Sequence, residues 1–171
     1  AKLLRSPQDA QALGSPIQYY NETFAAQYRC DYTQDKLLWQ QSIPIDVEYS
    51  LCLVGINSTL ISSEEDHISE IQEKPMRIGN CQIPKRSSRT VYLSLCHHPP
   101  ECWRDPDKLL SEKMNDRVAV QLYGHKHIQT IKFNGKSLIV GSGAAHPCRT
   151  YGEWTPRYNW ITLSVDNQNG T

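Results

Sequence analysis

Thr90-Val-Tyr-Leu-Ser-Leu-Cys96-His97-His98-Pro99-Pro100 and, further on, Val118-Ala-Val-Gln-Leu-Tyr123-Gly124-His125-Lys126-His127 follow one plan. Each is a short apolar, β-branched run that ends abruptly in imidazoles. Such runs, bounded by Pro or Gly, read as strands of a covered sheet. Four of the six histidines lie in these two clusters. The pattern therefore predicts imidazoles just past the ends of two strands, where open α/β sheets hold their ligands.

Neutral imidazole is a common ligand for zinc, manganese and iron. In an extended His125-x-His127 both side chains point the same way, because strand side chains repeat every second residue. Two such rings can share one metal or reach two neighbouring ones. Gly124 removes a side chain where the strand turns towards the ligand, and Pro99 and Pro100 stop the first strand. The succession of apolar strand, His-His-Pro, helix, apolar strand and Gly-His-x-His is far more specific than a lone His-x-His.

These motifs resemble the C-terminal half of the calcineurin-like metallophosphoesterases, over roughly Glu48 to Val165, and Gly55-Ile-Asn-Ser58 has the family's look as well. The resemblance implies an α/β fold, part of a four-layer αββα sandwich with mixed sheets. It implies a hydrolase, a phosphatase or phosphodiesterase, in which two divalent ions (Mn, Fe or Zn) and a bridging hydroxide cleave a phosphate ester. His97 and His125 would serve one metal and His127 the other, with the family's ligand position favouring His97 over His98. His98, His146 and Trp103 are candidates for substrate contact or support of the ligands. The family's Asp-x-His, Gly-Asp and Gly-Asn-His motifs are absent, and Gly79-Asn80-Cys81 matches the last only by coincidence. The catalytic residues beyond the ligands are therefore unknown and expected in a missing N-terminal half. Two other readings compete: a non-catalytic remnant that binds a partner or nucleotide, and a structural zinc domain built on Cys96, His97, His98 and Cys102.

The 171 residues suffice for one domain with a core, expected as a helical or loop insert over 1–45 and an α/β core over 46–171. Eighteen basic and 18 acidic residues cancel, so charge gives no support for nucleic-acid binding. No run approaches the roughly 18 apolar residues of a membrane helix. The six cysteines form no Cys-x-x-Cys pair. Cys52 and Cys96 fall inside apolar strands, which favours reduced thiols and a cytoplasmic setting. Asn21, Asn57 and Asn169 head glycosylation-type tripeptides of a kind frequent by chance.

Along the chain, Ala1 to Pro16 is expected as a loop or frayed helix. Ile17 to Tyr28 is expected as a helix whose Tyr20, Phe24 and Tyr28 make one stripe, with Tyr19 or Tyr20 touching substrate as the alternative to plain packing. A helical turn is expected over Asp35 to Gln40, anchored by Trp39, and a strand over Glu48 to Ile56. Helices are expected over Ser63 to Lys74, with His67 on the surface, and over Met76 to Ile83. Pro84 to Arg89 reads as a basic linker. Asp105-Pro106 predicts a helix start with Asp as N-cap and Pro at the first helical position, in a parallel strand–helix–strand crossover. Asn134-Gly135 predicts a type I′ hairpin between Ile128–Phe133 and Ser137–Val140. Gly141 to Gly143 is expected as a close-packed turn, and Trp160 to Val165 as a last strand.

Overall fold

A computed structural model describes residues 7–25, 27, 38–59, 76–144 and 158–164. Two compact units divide the chain, Ala1–Trp39 and Gln40–Thr171. In the first, helix α1 (Pro7–Tyr20) runs into a wider π turn, Asn21–Ala25. Helix thus begins ten residues before the expected start at Ile17. Pro7 sits at its first position, where a missing N–H costs nothing. Pro16, inside the helix, cannot bond the Ala12 carbonyl, and the Ser15 hydroxyl donates to that oxygen instead at 2.9 Å. The Tyr20 and Phe24 rings meet at 5.4 Å, and both are exposed. Tyr28, the third member of the expected stripe, lies outside the described residues.

The second unit is an α/β arrangement built on a mixed six-stranded sheet, ordered β1-β2-β3-β4-β6-β5. The strands are β1 (Leu38–Pro44), β2 (Ser50–Ile56), β3 (Thr90–Cys96), β4 (Val120–Tyr123), β5 (Thr130–Phe133) and β6 (Leu138–Gly141). β2, β3, β4 and β6 are parallel, and β5 runs antiparallel along the edge beside β6. Helix α2 (Leu109–Arg117) connects β3 to β4. No helix among the described residues is long and apolar enough to cross a membrane.

Register explains why these segments are strands. Leu53 pairs with Leu93, Leu93 with Val120, and Val120 with Leu138, so these four share one face. Leu95, Leu122, Val140 and Ile131 line up beside them on that face. The other face carries Cys52, Val54, Ser94, Cys96, Gln121 and Tyr123, all buried. Met114 of α2 is fully buried, and its neighbour Asn115 accepts a 3.0 Å bond from the Gln121 amide. Gln121 also donates to Ser137 Oγ at 2.8 Å and accepts from the Tyr123 hydroxyl at 2.6 Å, so the buried amide is well satisfied.

Several expectations shift. Leu38–Pro44 is an edge strand where a helical turn was expected, and its terminal Pro44 is tolerated because an edge needs fewer donors. Met76 to Ile83 holds no α-helix, only one 3-10 turn at Asn80–Gln82 between Gly79 (φ −71°, ψ 132°) and Ile83 (φ −82°, ψ 126°), both in a β conformation. Helix α2 starts at Leu109, because Lys108 is left-handed (φ 56°) and breaks continuity with Pro106. The hairpin turn is centred one residue later than expected, on Gly135-Lys136: Asn134 N–H donates to Ser137 O, and only Gly135 has positive φ (88°). That is the sense of a II′ turn, with glycine first. Residues 160–164 carry no strand pairing. The helix expected over Ser63 to Lys74, with His67, lies outside the described residues.

Candidate metal centre

The parallel strands β2, β3 and β4 all end on one side, and each delivers a polar residue just past its end. Asn57-Ser58 follow β2, His97-His98 follow β3, and Gly124-His125 follow β4. One ring nitrogen from each of His97, His98 and His125 lies within 4.8 Å of the other two. The ring centroids are 4.7 Å apart for His97–His98, 5.3 Å for His97–His125 and 4.6 Å for His98–His125. His97 is exposed, His125 half-buried and His98 buried.

Local structure makes this convergence possible. Gly124 N–H donates to the His97 carbonyl at 3.1 Å, locking the two strand ends together. A Cβ on Gly124 would stand 3.2 Å from His97 Nδ1, so the missing side chain is the space in which the ring sits. After Gly124 the chain leaves the extended state: His125 (φ 68°) and His127 (φ 55°) are both left-handed. Non-glycine residues held there cost roughly 1–3 kcal/mol each and need support from their surroundings. The extended backbone that would place both rings on one side is therefore lost. His127 is exposed and stands outside the three-histidine group.

His98 is the best-held member. Its Nδ1 is 2.9 Å from Ser58 Oγ, and its main-chain N–H donates to the same oxygen at 3.4 Å. Its carbonyl accepts from Trp103 Nε1 at 3.0 Å and from the Cys96 thiol at 3.3 Å. Trp103, 3% exposed and edge-on to Tyr123 at 6.1 Å, thus caps the core and fixes the His98 backbone together. Ser58 is held in turn through Asn57. The buried Gln82 side chain accepts from Asn57 N–H at 2.7 Å and donates to Asn57 O at 2.9 Å. Gln82 carries no motif and went unnoticed in the sequence, while Ser58 was noted only as the end of Gly55-Ile-Asn-Ser58, with no role at the site.

At the rim, Lys126 Nζ contacts Glu101 Oε1 at 2.6 Å. Burial acts to raise the Glu101 carboxyl, but the Lys126 ammonium outweighs it and the net shift is downwards. Both side chains are about half exposed, so the pair is worth little in stability. Burial pushes the Cys96 thiol up to about 11, with Ser58 and His98 nearby acting to lower it, so it stays protonated at neutral pH. Cys52, Cys81, Cys96 and Cys102 are free thiols, and none belongs to the metal-binding group among the described residues. His146 and Cys148 lie outside the described residues. The basic linker is tied down at Arg86, which pairs with Asp116.

The donor set suits a metal. Three imidazoles whose ring nitrogens lie within 4.8 Å of one another could hold one metal ion, and a four-coordinate ion bound so would keep one position open. The group contains no carboxylate. No protein-family model, curated protein or solved structure matches the chain.

Proposed function

We propose that the chain is the C-terminal part of a metal-dependent phosphoester hydrolase of the calcineurin-like kind, its sheet one half of a four-layer αββα sandwich. The observation that carries the reading is the meeting of three imidazoles beyond the carboxyl ends of adjacent parallel strands. That placement follows the general rule for ligand sites in open α/β sheets. His97, His98 and His125 would hold one divalent ion, and His127 would contribute to a second in the complete enzyme. Manganese, iron and zinc all accept imidazole. Such an ion supplies Lewis acidity to a phosphoryl oxygen and acidifies bound water. The chain's own task is to present neutral ring nitrogens in fixed directions, so ion binding weakens in acid as the rings protonate.

The test is hydrolysis of p-nitrophenyl and bis-p-nitrophenyl phosphate with manganese or zinc supplied. His125→Ala is expected to abolish metal-dependent turnover while leaving the thermal midpoint near wild type. A variant that keeps a near wild-type rate would sink the assignment. The absence of a carboxylate from the described group favours a second reading, a non-catalytic metal-binding module that engages a partner or nucleotide. Native mass spectrometry separates the two: two ions per chain favour the enzyme, and a single ion with no turnover favours the module. The free thiols support the further proposal of a cytoplasmic setting.

A further inference from the structure

We infer that His98 is a metal ligand through Nε2 and that Ser58 is its positioning residue, fixing the ring in the Nδ1–H form. The inference rests on the metal-binding part of the reading above and is independent of hydrolysis. Sequence likeness pointed to His97 as the ligand, with His98 contacting substrate or supporting the ligands.

Ser58 is 2% exposed and His98 is 6% exposed, so water does not compete freely for their polar atoms. The main-chain N–H of His98 can only donate, so Ser58 Oγ accepts at 3.4 Å. The Cys96 thiol spends its proton on the His98 carbonyl. Ser58 Oγ holds His98 Nδ1 at 2.9 Å, so the ring meets a metal through Nε2, and a neutral imidazole that does so carries its proton on Nδ1 and donates it to Ser58 Oγ. The lone pair of the neutral ring is then on Nε2, and the ring lies within 4.7 Å, centroid to centroid, of both His97 and His125. Metal-binding histidines commonly donate their other ring N–H to a fixed acceptor, which sets the tautomer and the ring direction. The Gln82 clamp on Asn57 keeps that acceptor in place from 25 residues away.

The experiment is a long-range 15N–1H spectrum of the metal-free chain labelled at histidine, followed by zinc titration, with the His98 signals assigned by their loss in His98→Gln. The expected result is an Nδ1–H tautomer for His98 in the wild type and a zinc-dependent shift of its Nε2 resonance. Ser58→Ala is expected to give mixed tautomers and a zinc Kd weaker by about 10- to 100-fold. The wild-type spectrum needs no variant to fold, so the tautomer is read in any case. An Nε2–H tautomer, an Nε2 resonance unmoved by saturating zinc, or a folded Ser58→Ala chain with an unchanged Kd would each overturn the inference. Zinc binding through His98 without phosphoester turnover would defeat the hydrolase reading and leave this one standing. Turnover that survives in His98→Gln with unchanged zinc affinity would do the reverse.

Discussion

Gly124 shows how much one missing side chain can decide. The His97 ring occupies the space a Cβ would take, at 3.2 Å from Nδ1, a distance that forces the neighbour to give by a few tenths of an ångström. Gly124→Ala is therefore expected to push the His97 ring away from His125. It should weaken zinc binding at least several-fold, measured by calorimetric titration, while the thermal midpoint falls by only a few degrees. An unchanged affinity would mean that His97 is not where the metal binds. At this scale the sequence was half legible. Imidazoles after strands announce themselves by type and spacing, and so does a glycine between strand and ligand. The backbone conformation of His125 and His127 does not, because a left-handed histidine is imposed by the turn around it. Nor does a serine such as Ser58, whose role exists only because a histidine 40 positions away folds onto it.

Among the elements, α2 is the clearest case of a signal read correctly in kind and misplaced in register. Asp105 was expected to cap a helix starting at Pro106. The helix starts at Leu109, and the Asp105 carboxylate reaches forward to accept from Leu110 N–H at 3.1 Å, Ser111 N–H at 2.8 Å and the Ser111 hydroxyl at 2.7 Å. It caps the helix across the turn, a geometry that depends on left-handed Lys108 and leaves no trace in spacing. Burial acts to raise the Asp105 carboxyl, but the Ser111 and Leu110 donors outweigh it and hold it below its ordinary 3.8. A carboxyl depressed in the folded state stabilises the fold fully above its unfolded value and loses that contribution as pH falls through the folded one. Asp105→Ala is thus expected to cost about 1 kcal/mol at neutral pH. The gap between variant and wild type should close below pH 3.8, and urea midpoints measured down the pH scale check this. The hairpin tells a similar story: Asn-Gly marked a tight turn, while its centre at Gly135-Lys136 was set by Asn134 pairing with Ser137.

For the molecule as a whole, the parallel strands β2, β3 and β4 were legible because central strands are largely apolar on both faces, and Leu51 to Ile56, Val91 to Cys96 and Val120 to Tyr123 are, apart from Ser94 and Gln121. Edge strand β1 was not, since Leu38-Trp39-Gln-Gln-Ser has neither alternation nor continuous apolarity and owes its state to the neighbour it pairs with. The path of Met76 to Ile83, which is not α-helical, was missed for a related reason. Met76, Ile78 and Ile83 are buried by tertiary packing that no local period announces. Within that path lies Gln82, whose side-chain amide offers Asn57 the same acceptor and donor that an adjoining strand would. The consequence is kinetic. Asn57 lies beyond the last residue of β2, where amide protons ordinarily exchange with solvent quickly, yet its N–H is expected to exchange as slowly as those of the strand interior. Gln82→Ala should accelerate exchange at Asn57 selectively, leaving Leu93 and Leu122 protected. A native-state exchange map would then trace, in deuterium, a ladder rung supplied by a single side chain.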